Sequence, residues 1–330
     1  MNEELTLSIC VVARNEERYL PALLEDIRRQ EYPHGLTEVV LIDSMSTDGT
    51  RRIMEDFREN KGDFSRVTVA SNEKGTQASG WNRAITLSQG DVIARIDAHS
   101  ALTPSYSRLV MAHIAEGENV VGGQRPCRME KDTPWSRVLL QTENSLFGSS
   151  IAKSRRAGEK TYVNSMFHAA YRREVFDKAG LFDERLLRTE DNEMHYRIRK
   201  ANYRLLFDPQ IVSYQYARSS FSKMVRQKYG NGCWIGKTLF VCPGCISLYH
   251  LVPAAFVIGI VLTGLLAAFG FALPALLMWG LYLLFALANT VFSAAKSGFY
   301  PQTLLMPFLF LILHVAYGAG TFVGLLGRRV

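Results

Sequence analysis

The chain has 330 residues, about two domains by length, and its 48% hydrophobic and 21% charged residues exclude a disordered or collagen-like protein. All 31 acidic residues lie in the first 237 positions, and beyond them only Lys296, Arg328 and Arg329 carry charge. That asymmetry excludes a plain soluble protein and predicts a water-soluble head, residues 1–237, followed by a membrane domain, residues 238–330.

In chain order, residues 7–12 predict a strand and 16–30 a helix, with Leu20, Leu23, Leu24 and Ile27 at helical spacing. Residues 39–42 predict a second strand, and Ser46-Thr47-Asp48-Gly49 supplies caps for a helix carrying Ile53, Met54 and Phe57. A third strand (67–70), a helix (78–87) and a fourth strand (92–96) follow. Strands separated by helices of this length imply parallel βαβ units, an α/β head with a right-handed open sheet. Residues 101–216 mix helices, at 106–116 and 191–200, with short strands, and the basic stretch 148–160 reads as a mobile loop.

Three apolar spans close the chain, roughly 246–269, 271–294 and 303–326, each long enough to cross a bilayer. Gly320-x-x-x-Gly324 gives the last span a small-residue face suited to helix packing. Three full crossings from a cytoplasmic head would leave Arg328 and Arg329 outside, against the positive-inside tendency; a re-entrant span would remove the conflict, and both topologies stay open. The N-terminus has neither a basic segment nor an apolar one, so no cleavable signal is expected and the head should stay in the cytoplasm, at the inner membrane. The basic excess lacks any nucleic-acid-binding signature. Instead Arg218, Lys223, Arg226, Lys228 and Lys237 gather before the first span, where an anionic leaflet would attract them; a solvated charged face is the alternative. Five cysteines make no disulfide framework, and Cys242-Pro-Gly-Cys245 lacks both a thioredoxin-like context and a second metal-binding pair, which favours a structural role.

The chemistry begins at the strand ends. Asp43 ends the second strand, Asp97 the fourth, and Ala13-Arg14-Asn15-Glu16 leaves the first, so a parallel sheet would bring all of them to its carboxyl edge, where open α/β sheets bind ligands. Asp97-Ala98-His99 can aim two ligands at one divalent ion while leaving positions for phosphate oxygens, as Mg²⁺ or Mn²⁺ is commonly held, and imidazole favours Mn²⁺. Thr189-Glu190-Asp191-Asn192-Glu193 opens a helix, where the acids either do chemistry or complement the dipole. No G-x-G-x-x-G opens the first helix, which argues against a dinucleotide site.

Taken together, Ser8-Ile9-Cys10-Val11-Val12-Ala13-Arg14-Asn15-Glu16-Glu17, Ile42-Asp43-Ser44-Met45-Ser46-Thr47-Asp48-Gly49-Thr50, Gly80-Trp81-Asn82-Arg83-Ala84-Ile85, Arg95-Ile96-Asp97-Ala98-His99, and Ala179-Gly180-Leu181-Phe182-Asp183-Glu184 ahead of Glu190-Asp191 resemble the family 2 inverting glycosyltransferases with the GT-A fold. The resemblance runs through residues 7–234. The Asp-Ala-His form and the ending His314-x-x-Tyr317-Gly318-x-Gly320 look most like the succinoglycan-type exopolysaccharide glucosyltransferases.

The resemblance implies that Asp43, with Ala13 and Glu16, holds the uracil and ribose of a UDP-sugar. It implies that Asp97 and His99 bind Mn²⁺ or Mg²⁺ against the diphosphate, and that Asp191 is the general base, with Glu190 orienting it or holding a donor hydroxyl. The product would be a β-glycoside on a lipid-linked oligosaccharide. The family's commoner metal motif has Asp where His99 stands. Its processive members carry Q-x-x-R-W; here Gln227 and Trp234 are present without that spacing, as acceptor- or donor-loop candidates, which favours adding a single sugar. A processive synthase and a catalytically silent nucleotide-sugar sensor are the competing readings.

Overall fold

The computed structural model describes residues 4–129, 131–148, 158–217 and 220–327, and the chain packs as two compact units. Most of the expected mobile loop, and Arg218, Arg328 and Arg329, lie outside the described residues. The first unit comprises Met1–Arg128 and Lys153–Tyr216; the second comprises Met129–Ala152 and Ala217–Val330.

The first unit opens with the expected alternation: β1 (Leu7–Ala13), α1 (Leu20–Arg28), β2 (Thr37–Asp43), α2 (Thr50–Glu59), β3 (Arg66–Ser71), α3 (Gln77–Leu87) and β4 (Val92–Asp97). Local chemistry sets the boundaries. Asp48 Oδ1 accepts from the Thr50 amide at 3.0 Å to start α2, and the Thr76 hydroxyl accepts from Ser79 N at 3.2 Å to start α3. Then come β5 (Ser100–Leu102), α4 (Tyr106–Ala115), β6 (Val120–Gln124), β7 (Cys127–Met129), α5 (Pro134–Asn144, of the second unit), β8 (Thr161–Val163), β9 (Ala170–Arg172), α6 (Arg173–Ala179), α7 (Glu190–Lys200) and β10 (Leu205–Ala217).

The strand order is β3-β2-β1-β4-β9-β6-β10-β5, with β7 and β8 also paired to β10. β3, β2, β1 and β4 run parallel, whereas β9 lies antiparallel between β4 and β6. The sheet is thus mixed but mostly parallel, a Rossmann-like GT-A head. Side-chain alternation sends adjacent strand residues to opposite faces. Ile9, Val11, Val39 and Leu41 join a core under α1, α2 and α4, while Cys10, Val40 and Ile42 join a second core with Trp81, Ala84 and Met194.

The second unit adds α8 (Phe221–Val241), α9 (Val252–Ala268), α10 (Leu273–Ser297) and α11 (Met306–Leu326). Two stretches, Leu273–Ser297 and Pro301–Leu326, are long and apolar enough to cross a membrane. Leu276, Leu284, Val291 and Phe292 of α10 are each more than 60% exposed, a surface that lipid, not water, would cover. The first expected span is shorter than its apolar run. Two 3₁₀ turns, Pro243–Cys245 and Leu248–His250, delay the helix to Val252, and Gly270, at φ +92°, follows its end. The C-x-x-C segment is that first turn, and its two cysteines form no disulfide.

Glycines hold α8 against α11. A Cβ at Gly232 would sit 2.0 Å from the Tyr317 carbonyl oxygen, and one at Gly324 would sit 2.0 Å from that of Cys233. Gly236 and Gly320 meet the partner backbone as closely, so Gly232-x-x-x-Gly236 faces Gly320-x-x-x-Gly324, and the two helices run parallel. Lys228 departs from the expected basic face: it is 8% exposed, turned inward with Nζ 3.7 Å from Glu143 Oε1, whereas Lys223 and Arg226 are exposed.

Candidate active site

Register alone assembles the first part of the site. Ala13 pairs with Asp43 and Val12 with Asp97, so both acids flank the end of β1 at the carboxyl edge. The following loops are stapled together. Ser44 N donates to the Ala13 carbonyl (2.8 Å), Thr47 N to Asn15 Oδ1 (2.8 Å), and Glu16 N to the Thr50 hydroxyl (2.7 Å). Asn15 and Met45 take left-handed φ values of +57° and +59°, which turn the two loops toward each other. Asp43 is 6% exposed, and its Oδ1 accepts from Ser46 N at 3.2 Å.

Asp97 and His99 share the edge but not a partner. Nδ1 of His99 lies 3.1 Å from Glu16 Oε1, a hydrogen bond that pushes the imidazole up toward its charged form. Asp97 Oδ2 lies 3.2 Å from both His168 Nε2 and Arg125 Nη1, and Gln77 Nε2 donates weakly to Oδ1 at 3.4 Å. Burial alone would raise this carboxyl; the hydrogen bond from His168 and the Arg125 charge hold it well below the usual range. Burial pushes the His168 imidazole down from its ordinary value, against the pull of Asp97. Among the described residues no three His, Cys, Asp or Glu side chains group as a preformed metal cage.

The third part comes from α7. Thr189 occupies the N-cap position without a capping side-chain bond, and Glu190 and Asp191 open the helix. Asp191 Oδ1 accepts from Arg95 Nη1 at 2.6 Å. Glu190 is buried; desolvation first, then the Asp191 charge, push its carboxyl up to about 8, so it carries a proton at neutral pH. His195, one turn along, is depressed to about 4 by burial and bonds Tyr171 and Ser165.

The structure therefore gathers Ala13, Glu16, Asp43, Asp97 and His99 at one edge and brings Asp191, with Glu190 beside it, to Arg95 of β4. Gln227 and Trp234 lie on α8 of the second unit, both half-buried, with Lys237 Nζ 4.8 Å over the Trp234 ring. Sequence reasoning missed three neighbours. Arg95 stood inside a quoted motif, two residues before Asp97. His168 and Arg125 carried no signal beyond being polar residues in loops, and only the left-handed φ of +48° at His168 marks it in the structure.

The model of glycosyl transferase family 2 matches residues 8–180. A Methanococcus voltae protein, dolichyl N-acetyl-alpha-D-glucosaminyl phosphate 3-beta-D-2,3-diacetamido-2,3-dideoxy-beta-D-glucuronosyltransferase, is 24% identical over 97% of both chains. Succinoglycan biosynthesis protein ExoA of Rhizobium meliloti is 30% identical over 77% of each chain. Among solved structures, the mannosyltransferase PcManGT from Pyrobaculum calidifontis, in complex with GDP-Man and Mn2+, covers all of this chain and 89% of its own at a TM-score of 0.66 and 18% identity, a likeness of fold.

Proposed function

Because the chain belongs to glycosyl transferase family 2, we propose that it is a membrane-anchored inverting hexosyltransferase that moves one sugar, glucose, from UDP to a polyprenyl-diphosphate-linked oligosaccharide at the cytoplasmic leaflet, in exopolysaccharide assembly. The observation that supports this reading is that Asp43 and Asp97 flank the end of β1 while Asp191 is tied through Arg95 to β4, the strand that Asp97 ends. Asp43, with Ala13 and Glu16, holds the uracil and ribose. Asp191 takes the proton of the acceptor hydroxyl as that oxygen attacks C1 from the face opposite the diphosphate. The C1–O bond to UDP breaks in the same step, so an α-linked donor gives a β-glycoside. Glu190, protonated at neutral pH, donates a hydrogen bond to a donor hydroxyl beside the base. A relative whose name places its acceptor on a dolichyl phosphate supports the lipid-linked acceptor, and one named for succinoglycan biosynthesis supports the polysaccharide pathway.

A divalent ion fits this donor set in kind. An ionised carboxylate and an imidazole at i and i+2 of a strand end are few for a cage but suit an ion that shares its remaining positions with phosphate oxygens. Asp97 and His99 would hold it, and Mn²⁺ suits the imidazole better than Mg²⁺. When bound, the ion supplies Lewis-acid neutralisation of the departing diphosphate.

The test is a panel of radiolabelled UDP- and GDP-sugars with lipid-linked acceptors, run with Mn²⁺, Mg²⁺ or EDTA. Transfer of one glucose per acceptor from UDP-glucose, supported by Mn²⁺ at least as well as by Mg²⁺ and abolished by EDTA, is the expected result. A polymer product would replace the single-transfer reading with a processive one. Exclusive use of a GDP-sugar would remove the uridine assignment, and full activity in EDTA the metal role of Asp97 and His99.

A further inference from the structure

The middle of a central strand is an expensive place for a guanidinium. Val92, Ile93, Ala94 and Ile96 of β4 are fully buried, and Arg95 among them is only 6% exposed. A charge taken out of water costs several kcal/mol unless it is paired and hydrogen-bonded. Arg95 is packed in a particular way. Its Cζ lies 4.4 Å from the ring centroid of Trp81 and 4.4 Å from that of Phe182, so an aromatic ring walls it on two sides.

Those walls are tied to each other. Asn82 Nδ2 donates to the Phe182 carbonyl at 2.9 Å and Phe182 N donates to Asn82 Oδ1 at 2.8 Å, a reciprocal pair between α3 and the turn ahead of α7. The same Asn82 amide reaches Glu184, which Lys74 pairs at 2.5 Å. The Gly80-Trp81-Asn82 and Gly180-to-Glu184 stretches, which the proposed chemistry does not otherwise use, thus build a slot for one side chain.

Out of the slot Nη1 reaches Asp191 Oδ1 at 2.6 Å, and the guanidinium also interacts with the Tyr171 hydroxyl. A pair made for stability would favour the two-pronged fork-to-carboxylate contact. Here, among the described residues, the buried Arg95 Nε has no hydrogen-bond partner, and Asp191, its side chain 21% exposed, receives a side-chain hydrogen bond on Oδ1 but none on Oδ2. One carboxylate oxygen is held by the guanidinium and the other is not.

We propose that Arg95 is the positioning residue for the catalytic base: held in the Trp81–Phe182 slot, its guanidinium clamps one oxygen of Asp191 so that the other faces the acceptor hydroxyl. This deepens the assignment of Asp191 as base and rests on it. Proton transfer demands a donor–acceptor geometry set within a fraction of an ångström. Asp191 lies in the first turn of α7, and the clamp supplies the orientation of its side chain. Arg95 touches neither donor nor acceptor in this scheme; it acts through Asp191 alone.

The experiment uses the full chain in detergent or nanodiscs, with Arg95→Met, Arg95→Lys, Asp191→Asn and the Arg95→Met/Asp191→Asn double variant. Calorimetry with UDP and Mn²⁺ reports donor-site integrity, and kcat and acceptor KM report the chemistry. Arg95→Met should lower kcat at least about tenfold with UDP affinity unchanged, because the lost interaction matters only in the transition state. Arg95→Lys keeps the charge but neither the planar stack nor the reach, so it should also lower kcat. In the double variant, Arg95→Met should cost nothing beyond Asp191→Asn, since its partner is already disabled.

Losses that multiply in the double variant would overturn the proposal, as would wild-type kcat in Arg95→Met. If Arg95→Met loses UDP binding because the strand is disturbed, Arg95→Lys decides: wild-type kcat there overturns the clamp, and lowered kcat with intact UDP binding supports it. Failure of the underlying reading looks different, because Asp191→Asn alone would then keep its activity.

Discussion

In the head, Arg95 holds Asp191, and His168 and Arg125 hold Asp97, through side-chain hydrogen bonds and charge. In the second unit α8 and α11 meet through the absence of side chains, with glycines letting one backbone rest on the other. The two regions therefore respond to substitution in opposite ways. An isosteric change in the head leaves the packing intact and removes a charge or a proton, so chemistry fails before folding does. A single added methyl between α8 and α11 changes no charge and has nowhere to go, so packing fails first.

The largest expected effect breaks chemistry and spares the fold. Asp191→Asn keeps size and can still accept from Arg95, yet it cannot take a proton, so kcat should fall by about 10²–10⁴ with UDP affinity near normal. Retention of more than about a tenth of wild-type kcat would make the acids of α7 mere complements to the helix dipole. Asp43→Ala should come next, with UDP affinity weakened about tenfold even in excess metal, the size of one lost charged hydrogen bond. Unchanged affinity by calorimetry would take Asp43 out of the nucleotide site.

The opposite response is sharpened in the helices. Gly232→Ala places a Cβ 2.0 Å from the Tyr317 carbonyl oxygen, and overpacking of this kind typically costs about 1–3 kcal/mol. Gly264→Ala in α9 is the control, since a Cβ there meets nothing within 4 Å and alanine is the better helix former. The first should lower the unfolding temperature in detergent and the second should not. Equal behaviour would mean that α8 and α11 do not depend on their close approach.

Much of this was legible in the sequence, for reasons that differ by residue. Asp43 and Asp97 could be placed because each ends an apolar run in a βαβ series, and parallel order alone sends such ends to one edge. The small-residue face of Gly320 and Gly324 was legible from spacing, and its partner, Gly232-x-x-x-Gly236, is the same motif on α8. The role of Arg95 was not legible, because its walls come from Trp81 and Phe182, which are remote in sequence and are brought together by the fold, with Asn82 tied to Phe182. Lys228 could not be told from its basic neighbours, because its inward turn toward Glu143 is decided by α5, an excursion from elsewhere in the chain. The start of α9 was misplaced because hydropathy sees an apolar run, whereas Pro243 and Pro253 and two 3₁₀ turns decide where a helix can begin.

The smallest expected effect isolates a proton in the head that has no counterpart in the glycine interface. Burial and the neighbouring Asp191 push Glu190 from 4.5 up to about 8, so the folded chain keeps a proton that the unfolded chain releases. A carboxyl with a raised folded value stabilises fully below its unfolded value, and that contribution is lost as pH climbs from 4.5 to about 8. Glu190→Gln carries a permanent neutral group of nearly the same shape and has no such slope. Wild-type stability, measured as the unfolding midpoint, should therefore fall relative to Glu190→Gln as pH rises through that window, by at most about 1.4 kcal/mol per pH unit for one proton. Taking the difference between the two proteins cancels the titrations of His99, His168 and His195, which overlap the window but are common to both. Parallel curves would show that Glu190 ionises normally, and its hydrogen-bond-donating role beside Asp191 would then have to be given up, while the clamp of Asp191 by Arg95 would stand untouched.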